Sequence, residues 1–186
     1  MQGGWGKIAA AASTQYAIAR WQPQLIVNLG TCGGFAGSVQ RGTVLLIEET
    51  LVYDIIEQMG DAQEAVQHYT TPIDLSWLQE PYPQAVRRAR LVSADRDIVP
   101  IDIPHLRSAY NAIASDWESG AIAWVAARNS THCLILRAVS DLVDEQGGEV
   151  YGDFAAFEQR TQEVMDDLLE HLSAWLVQAG VTTNQT

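Results

Sequence analysis

The sequence predicts a three-layer α/β/α domain built on a central mixed, mostly parallel sheet. Short apolar runs alternate along the chain with segments of helical periodicity. Two of those runs, Leu45-Leu46-Ile47 and Cys133-Leu134-Ile135-Leu136, are continuous rather than alternating, as in strands covered on both faces. At 186 residues the chain is long enough for one domain with a real core and too short for two. A single domain over residues 1–180 is expected, with residues 181–186 as a frayed tail.

Each element has its own signal. Gly3-Gly4-Trp5-Gly6 reads as a loop, and Lys7 to Trp21 as an Ala-rich helix with Ile8, Ala11, Ala12, Tyr16 and Ala19 toward one face, closed by Pro23. Leu25 to Leu29 is a short apolar strand, and Gly30-Thr31-Cys32-Gly33-Gly34 a turn with uncluttered backbone amides. Val44 to Val52 is the next strand. From Ile55 to Arg90 the pattern weakens, broken by Gly60, Pro72, Pro81 and Pro83, and reads as a loop-rich excursion. Arg90 to Asp95 is a strand and turn, Pro104 to Asn111 a short helix, and Ser119 to Asn129 a helix with Ile122, Val125 and Ala126 inward. Cys133 to Val139 is a buried strand, and Asp153 to Val177 a long amphipathic helix carrying Phe154, Phe157, Val164, Leu168, Leu169, Leu172 and Leu176.

Composition excludes several classes. Eleven basic against 23 acidic side chains give a formal charge of −12, a field that repels nucleic acid and anionic membranes. No apolar run approaches the roughly 20 residues that span a bilayer, and Met1-Gln2-Gly3-Gly4 opens no signal peptide, so a cytoplasmic protein is expected. Cys32 and Cys133 lack metal-ligand spacing and make no disulfide framework. His68, His105, His132 and His171 are scattered. No metal and no cofactor are expected, and Trp5, Trp21, Trp77, Trp124 and Trp175 read as packing residues.

Chemistry concentrates in two stretches, Ser115-Asp116-Trp117-Glu118-Ser119-Gly120-Ala121 and Arg137-Ala138-Val139-Ser140-Asp141. In the first a carboxylate stands where an extended segment becomes a helix with a small-residue opening. In the second a buried strand runs into a Ser-Asp pair, at the edge where open α/β sheets place ligand-binding groups. Together they suit polyol recognition and proton donation. Alone, Glu118 would be an acid near a helix N-terminus and Asp141 a turn or capping residue.

Four segments, in order, resemble the purine nucleoside phosphorylase and nucleosidase superfamily. They are Asn28-Leu29-Gly30-Thr31-Cys32-Gly33-Gly34-Phe35, Ser93-Ala94-Asp95, Asp116 to Ala123, and Arg137 to Asp144. The likeness is greatest to the 5′-methylthioadenosine/S-adenosylhomocysteine nucleosidases. The resemblance implies a hydrolase that cleaves the N-glycosidic bond of an adenine nucleoside, acting as a homodimer on a small-molecule purine nucleoside. It makes Asp141, with Ser140 beside it, the acid at purine N7, and Glu118 the acceptor of the ribose 2′- and 3′-hydroxyls. It places Thr31, Cys32 and Gly33 where the nucleophile sits, Trp117 under the sugar in place of the usual methionine, and Tyr151 near the base, with Ile98 also among the substrate-binding residues.

The departures from that pattern are specific. The resemblance implies an N-terminally shortened form, trimmed or naturally short, in which the family's first strands and the glutamate on them that activates water have no counterpart. Asp97 replaces the aromatic that stacks on the purine. Asn28 stands where related phosphorylases carry a phosphate-binding arginine, and an asparagine supplies neither its charge nor its fork, which favours water as nucleophile. Two other readings stand beside this one: a phosphate-dependent purine nucleoside phosphorylase and, because the water-activating glutamate is missing, a non-catalytic nucleoside-binding form.

Overall fold

A computed structural model describes residues 1–180; the tail expected at 181–186 lies outside the described residues. The elements run α1 (Gly6–Trp21), β1 (Leu25–Phe35), β2 (Val44–Val52), α2 (Ala62–His68), β3 (Thr70–Pro72), β4 (Arg87–Ser93), a 3-10 turn (Pro100–Asp102), α3 (Ile103–Tyr110), β5 (Ala112–Asp116), α4 (Ser119–Arg128), β6 (His132–Asp144), β7 (Gly147–Gly148) and α5 (Phe154–Gln178). The sheet is mixed, in the order β3-β2-β4-β5-β1-β6-β7. Its long pairings, β1 with β6 and β2 with β4, are parallel, while β1 meets β5 antiparallel. The start of β2 also pairs antiparallel with the middle of β6, Val44 with Ala138 and Leu46 with Leu136. The sheet therefore curls back on itself.

Strand pleat divides the apolar runs between two cores. Leu45, Ile47, Ile135 and Val139 pack with Ala10 of α1 and with Ala121, Ile122 and Ala126 of α4. Val44, Leu46, Leu134 and Leu136 pack with Leu168 and Trp175 of α5. All three residues of the Leu45-Leu46-Ile47 run are fully buried, which explains why it shows no alternation. A third cluster joins Ile103 and Leu106 of α3 to Phe35, Leu51, Val92 and Val143.

Three local expectations are corrected. In α1 the buried stripe is Ala10, Thr14 and Ala17, while Ile8 is 85% and Tyr16 58% exposed. Small side chains let α1 lie close against α4, with Ile18 the one large residue buried beside them, while Ile8 and Tyr16 face outward. Trp5 and Trp21 are exposed with them, whereas Trp175 is fully buried and stacks on Tyr82 at 5.7 Å. The glycine-rich segment after Leu29 is not a turn but the second half of an 11-residue strand. Gly30 and Gly34 are there for close approach: a Cβ on Gly34 would lie 2.6 Å from Val39 Cγ1 and 2.8 Å from Val139 Cγ1. The 55–90 excursion holds α2 and β3, and β4 starts at Arg87. Asp61 opens α2 by accepting the Gln63 and Glu64 amides, an ordinary N-cap.

Candidate active site

The end of β1 runs between β5 and β6, and Gly33 is the register partner of Ser115 on one side and Asp141 on the other. Both acidic stretches therefore reach the same point of the sheet. On β6 the register slips: Cys32 pairs with Val139 and Gly33 with Asp141, so Ser140 is the extra residue of a bulge. Bulges re-aim side chains. Here Ser140 Oγ donates to Asp141 Oδ1 at 2.7 Å and lies 3.4 Å from the Cys32 carbonyl oxygen. Asp141 thus sits at a bulge inside β6, which continues to Asp144, and not at a strand end as the sequence implied.

Asp141 is 5% exposed. Burial pushes its carboxyl above the usual carboxylate range. The Ser140 hydrogen bond and Arg160 act against that rise, while Glu149 and Asp97 add to it. Ile98 packs over the adjacent strand, since a Cβ on Gly33 would lie 2.7 Å from Ile98 Cδ1. The Tyr151 hydroxyl donates to the Ile98 carbonyl at 3.0 Å, and its ring rests on Gly148, where a Cβ would be 2.3 Å from Tyr151 Cε1. Burial raises the Tyr151 hydroxyl, with the charges of Asp97 and Asp141 acting in the same direction, so it is a donor. Asp141, Ser140, Gly33, Ile98 and Tyr151 therefore form one group.

The second group lies where β5 becomes α4. The α4 amide of Ser119 is capped by both carboxylate oxygens of Asp116, at 3.2 and 3.0 Å. Glu118's own side chain makes no cap bond. It instead accepts the Gly6 amide of α1 at 3.1 Å. A carboxylate has about four acceptor sites, so this contact leaves capacity for two hydroxyls. Burial raises the Glu118 carboxyl, the Gly6 bond opposes the rise, Asp116 adds to it and Arg137 opposes it. Trp117, beside it, is 36% exposed.

Several residues here carried no role in the sequence. Lys7 donates its amide to Asp95 Oδ1 at 2.7 Å, and its ammonium is held by Asp54 and by Asp95 at 3.4 Å. Asp95 in turn donates its amide to Asp54 at 3.0 Å. The opening of α1 is thereby fastened beside Glu118. Arg137 Nε lies 2.8 Å from Asp116 Oδ2 and donates to Ser119 Oγ at 2.9 Å. Asp116 and Arg137 stand inside the two chemistry-bearing stretches, which was the available signal; for Lys7, Asp54 and Asp95 only the fold joins them.

Thr31 and Cys32 lie on β1 between Gly30 and Gly33. Cys32 is 3% exposed and belongs to the core. Burial, with Asp116 adding, raises its thiol far above the ordinary range, so it stays a neutral packing group. Cys133 is likewise pushed up to about 12. Cavities of 230 Å³, beside Thr71, Ala127 and Cys133, and 270 Å³, beside Glu49, Gln63 and Arg90, lie apart from both groups. Among the described residues no cluster of His, Cys, Asp and Glu is placed to hold a metal ion, and no helix is long and apolar enough to cross a membrane.

The family profile described as the phosphorylase superfamily matches residues 1–174. The chain belongs to that superfamily. Within it, a 5′-methylthioadenosine/S-adenosylhomocysteine nucleosidase of Marinomonas sp. (strain MWYL1) is 20% identical over 83% of this chain and 72% of its own length. The fold matches the 5′-methylthioadenosine nucleosidase of Arabidopsis thaliana in apo form, with a TM-score of 0.78 at 23% identity, over 98% of this chain and 72% of that one. It also matches the 5′-methylthioadenosine/S-adenosylhomocysteine nucleosidase of Neisseria meningitidis in complex with methylthio-immucillin-A, with a TM-score of 0.72 at 20% identity, over 96% and 78%. This superfamily member therefore has the central mixed sheet expected from its sequence.

Proposed function

We propose that the protein is a nucleosidase that hydrolyses the N-glycosidic bond of an adenine nucleoside of the methylthioadenosine or S-adenosylhomocysteine type, releasing adenine and a ribose derivative. The observation that carries this reading is the register of Gly33 on β1, which pairs with Asp141 on one side and, on the other, with Ser115, three residues before Glu118. The names borne by the relatives agree with it. Cleavage builds negative charge on the departing base and positive charge on the sugar. A protonated Asp141 delivers its proton to purine N7 and neutralises the base. Glu118 accepts the vicinal hydroxyls, orients the ring and lowers the energy of the cationic sugar. Trp117 covers the sugar, Ile98 and Tyr151 flank the base, and Thr31, Cys32 and Gly33 form the shelf for the attacking water. Residues 1–180 act as one unit.

Water is favoured over phosphate as nucleophile. Asn28 carries no charge, and the cations near the site, Lys7, Arg137 and Arg160, are engaged by Asp54, Asp95, Asp116 and Glu149. Adenine release from methylthioadenosine in phosphate-free buffer is the expected result, measured by chromatography. Turnover that requires phosphate would make the protein a phosphorylase.

The acid role fixes the sign of a pH effect. Asp141 works protonated, so activity falls as pH rises through its raised pKa. The Asp97 charge contributes to that rise. Asp97→Asn is therefore expected to move the alkaline limb of the kcat profile to lower pH; an unmoved limb would remove Asp97 from the acid's surroundings.

The partner that suits the exposed α1 stripe of Trp5, Ile8 and Tyr16 is a second copy of the chain, giving a homodimer, which sedimentation reads directly. Two free buried cysteines suit the reducing cytoplasm.

A further inference from the structure

Beside Glu118 lies a buried polar knot, joined through Arg137 to the strand that carries Asp141, with no place in the chemistry above. Asp116 Oδ1 accepts the Ser93 hydroxyl of β4 at 2.6 Å, and Oδ2 accepts the Ser119 hydroxyl of α4 at 2.5 Å. Arg137 of β6 meets the same oxygen through Nε at 2.8 Å. Ser93 Oγ also accepts the Gly120 amide at 2.9 Å. The side chains of Asp116 and Arg137 are 2% and 4% exposed. A charge pair this deep is a poor source of stability compared with apolar packing, so its presence calls for another explanation.

The path of Arg137 supplies one. To reach Asp116 from β6 the guanidinium crosses β1 at Gly30, where a Cβ would lie 1.7 Å from Nη1. Gly120 is equally enclosed, a Cβ there falling 2.8 Å from Val52 Cγ2 and 3.1 Å from Ser93 Cβ. The knot thus ties β4, β6 and the start of α4 to one carboxylate. Between its two clamped residues, Asp116 and Ser119, stand only Trp117 and Glu118.

We infer that Asp116 and Arg137, with Ser93 and Ser119, are positioning residues: they hold the Glu118 turn in register with the β6 bulge that carries Asp141, so that the ribose acceptor and the acid keep a fixed separation. The inference rests on the ribose role proposed for Glu118. A misplacement on the order of 1 Å costs about 10²-fold in rate, and this is the error the knot prevents.

The test is a double-mutant cycle on the full chain, using methylthioadenosine turnover and free-adenine binding. Ser119→Ala keeps the ion pair and is expected to lower kcat/KM about tenfold, while Asp116→Asn keeps the side-chain shape but removes the counter-charge of Arg137, so its expected loss of about 10²-fold is read per folded molecule, with the folded fraction taken from urea unfolding. Adenine, which has no ribose, should bind each variant as it binds the parent. In a Glu118→Ala background either substitution should cost little more, because the group it positions is gone. Losses that multiply in that background, or adenine affinity that falls in parallel with kcat/KM, would overturn the positioning role alone. Parental kinetics in Glu118→Ala itself would sink the ribose assignment, and the positioning role with it.

Discussion

Asp141→Asn is expected to lower kcat by roughly 10²–10⁴-fold, the usual contribution of one positioned acid, with little change in stability. The amide is nearly the shape of the carboxyl, and Ser140 Oγ, which donates to Asp141 Oδ1 at 2.7 Å, can donate to the amide oxygen instead. What is lost is the transferable proton. The surroundings explain why the native carboxyl has one to give: it is buried, and Glu149 and Asp97 add to the rise that burial causes. Nucleosides whose base leaves readily without protonation should be cleaved almost normally by the variant. Steady-state kinetics with both substrate types check this. Loss of both activities together would mean that Asp141 shapes the pocket and does not act as the acid.

Arg137→Met is expected to destabilise the protein by about 3–5 kcal/mol, the cost of leaving one member of a buried pair unpartnered. Against total stabilities of about 5–15 kcal/mol that is close to loss of the fold at growth temperature. Methionine fills much of the volume over Gly30 but offers nothing to Asp116 Oδ2 or Ser119 Oγ. Adding Asp116→Leu removes the stranded charge and should restore part of the loss. Restoration is incomplete because Asp116 also caps Ser119 and accepts from Ser93. Urea unfolding of the single and double variants measures both steps. A single variant within about 0.5 kcal/mol of the parent, the range of ordinary surface changes, would contradict the burial of this pair.

The layers and the pairing of helices with strands were legible because the chain repeats two simple patterns, apolar runs for covered strands and helical spacing between them. The register was not. Whether Gly30 and Gly34 form a turn or a strand depends on Arg137, Val39 and Val139, which arrive from elsewhere in the chain, and no local pattern reports them. The outward stripe of α1 misled for a similar reason: an Ala-rich helix has two faces of comparable hydrophobicity, and the neighbouring helix selects the smaller one. At the site, Glu118 was readable as an acid at an element boundary, whereas Asp141 was readable as an acid on the buried strand but was placed at its end rather than inside it. That Asp116 takes the capping job, and so leaves Glu118 unoccupied by it, is a matter of side-chain geometry. The bulge at Ser140 likewise required the β1 register. Asp54 and Asp95 came near Glu118 only through Lys7, 47 and 88 residues away from them in sequence.

The central claim is that one nucleoside spans the two groups on either side of Gly33. A crystal structure with a non-hydrolysable methylthioadenosine analogue tests it most directly. The expected result puts the Asp141 carboxyl within hydrogen-bond distance of the base at N7, and Glu118 on the ribose hydroxyls. An analogue bound with either carboxylate out of reach, or lodged in the cavity beside Thr71 or the one beside Glu49, would contradict it.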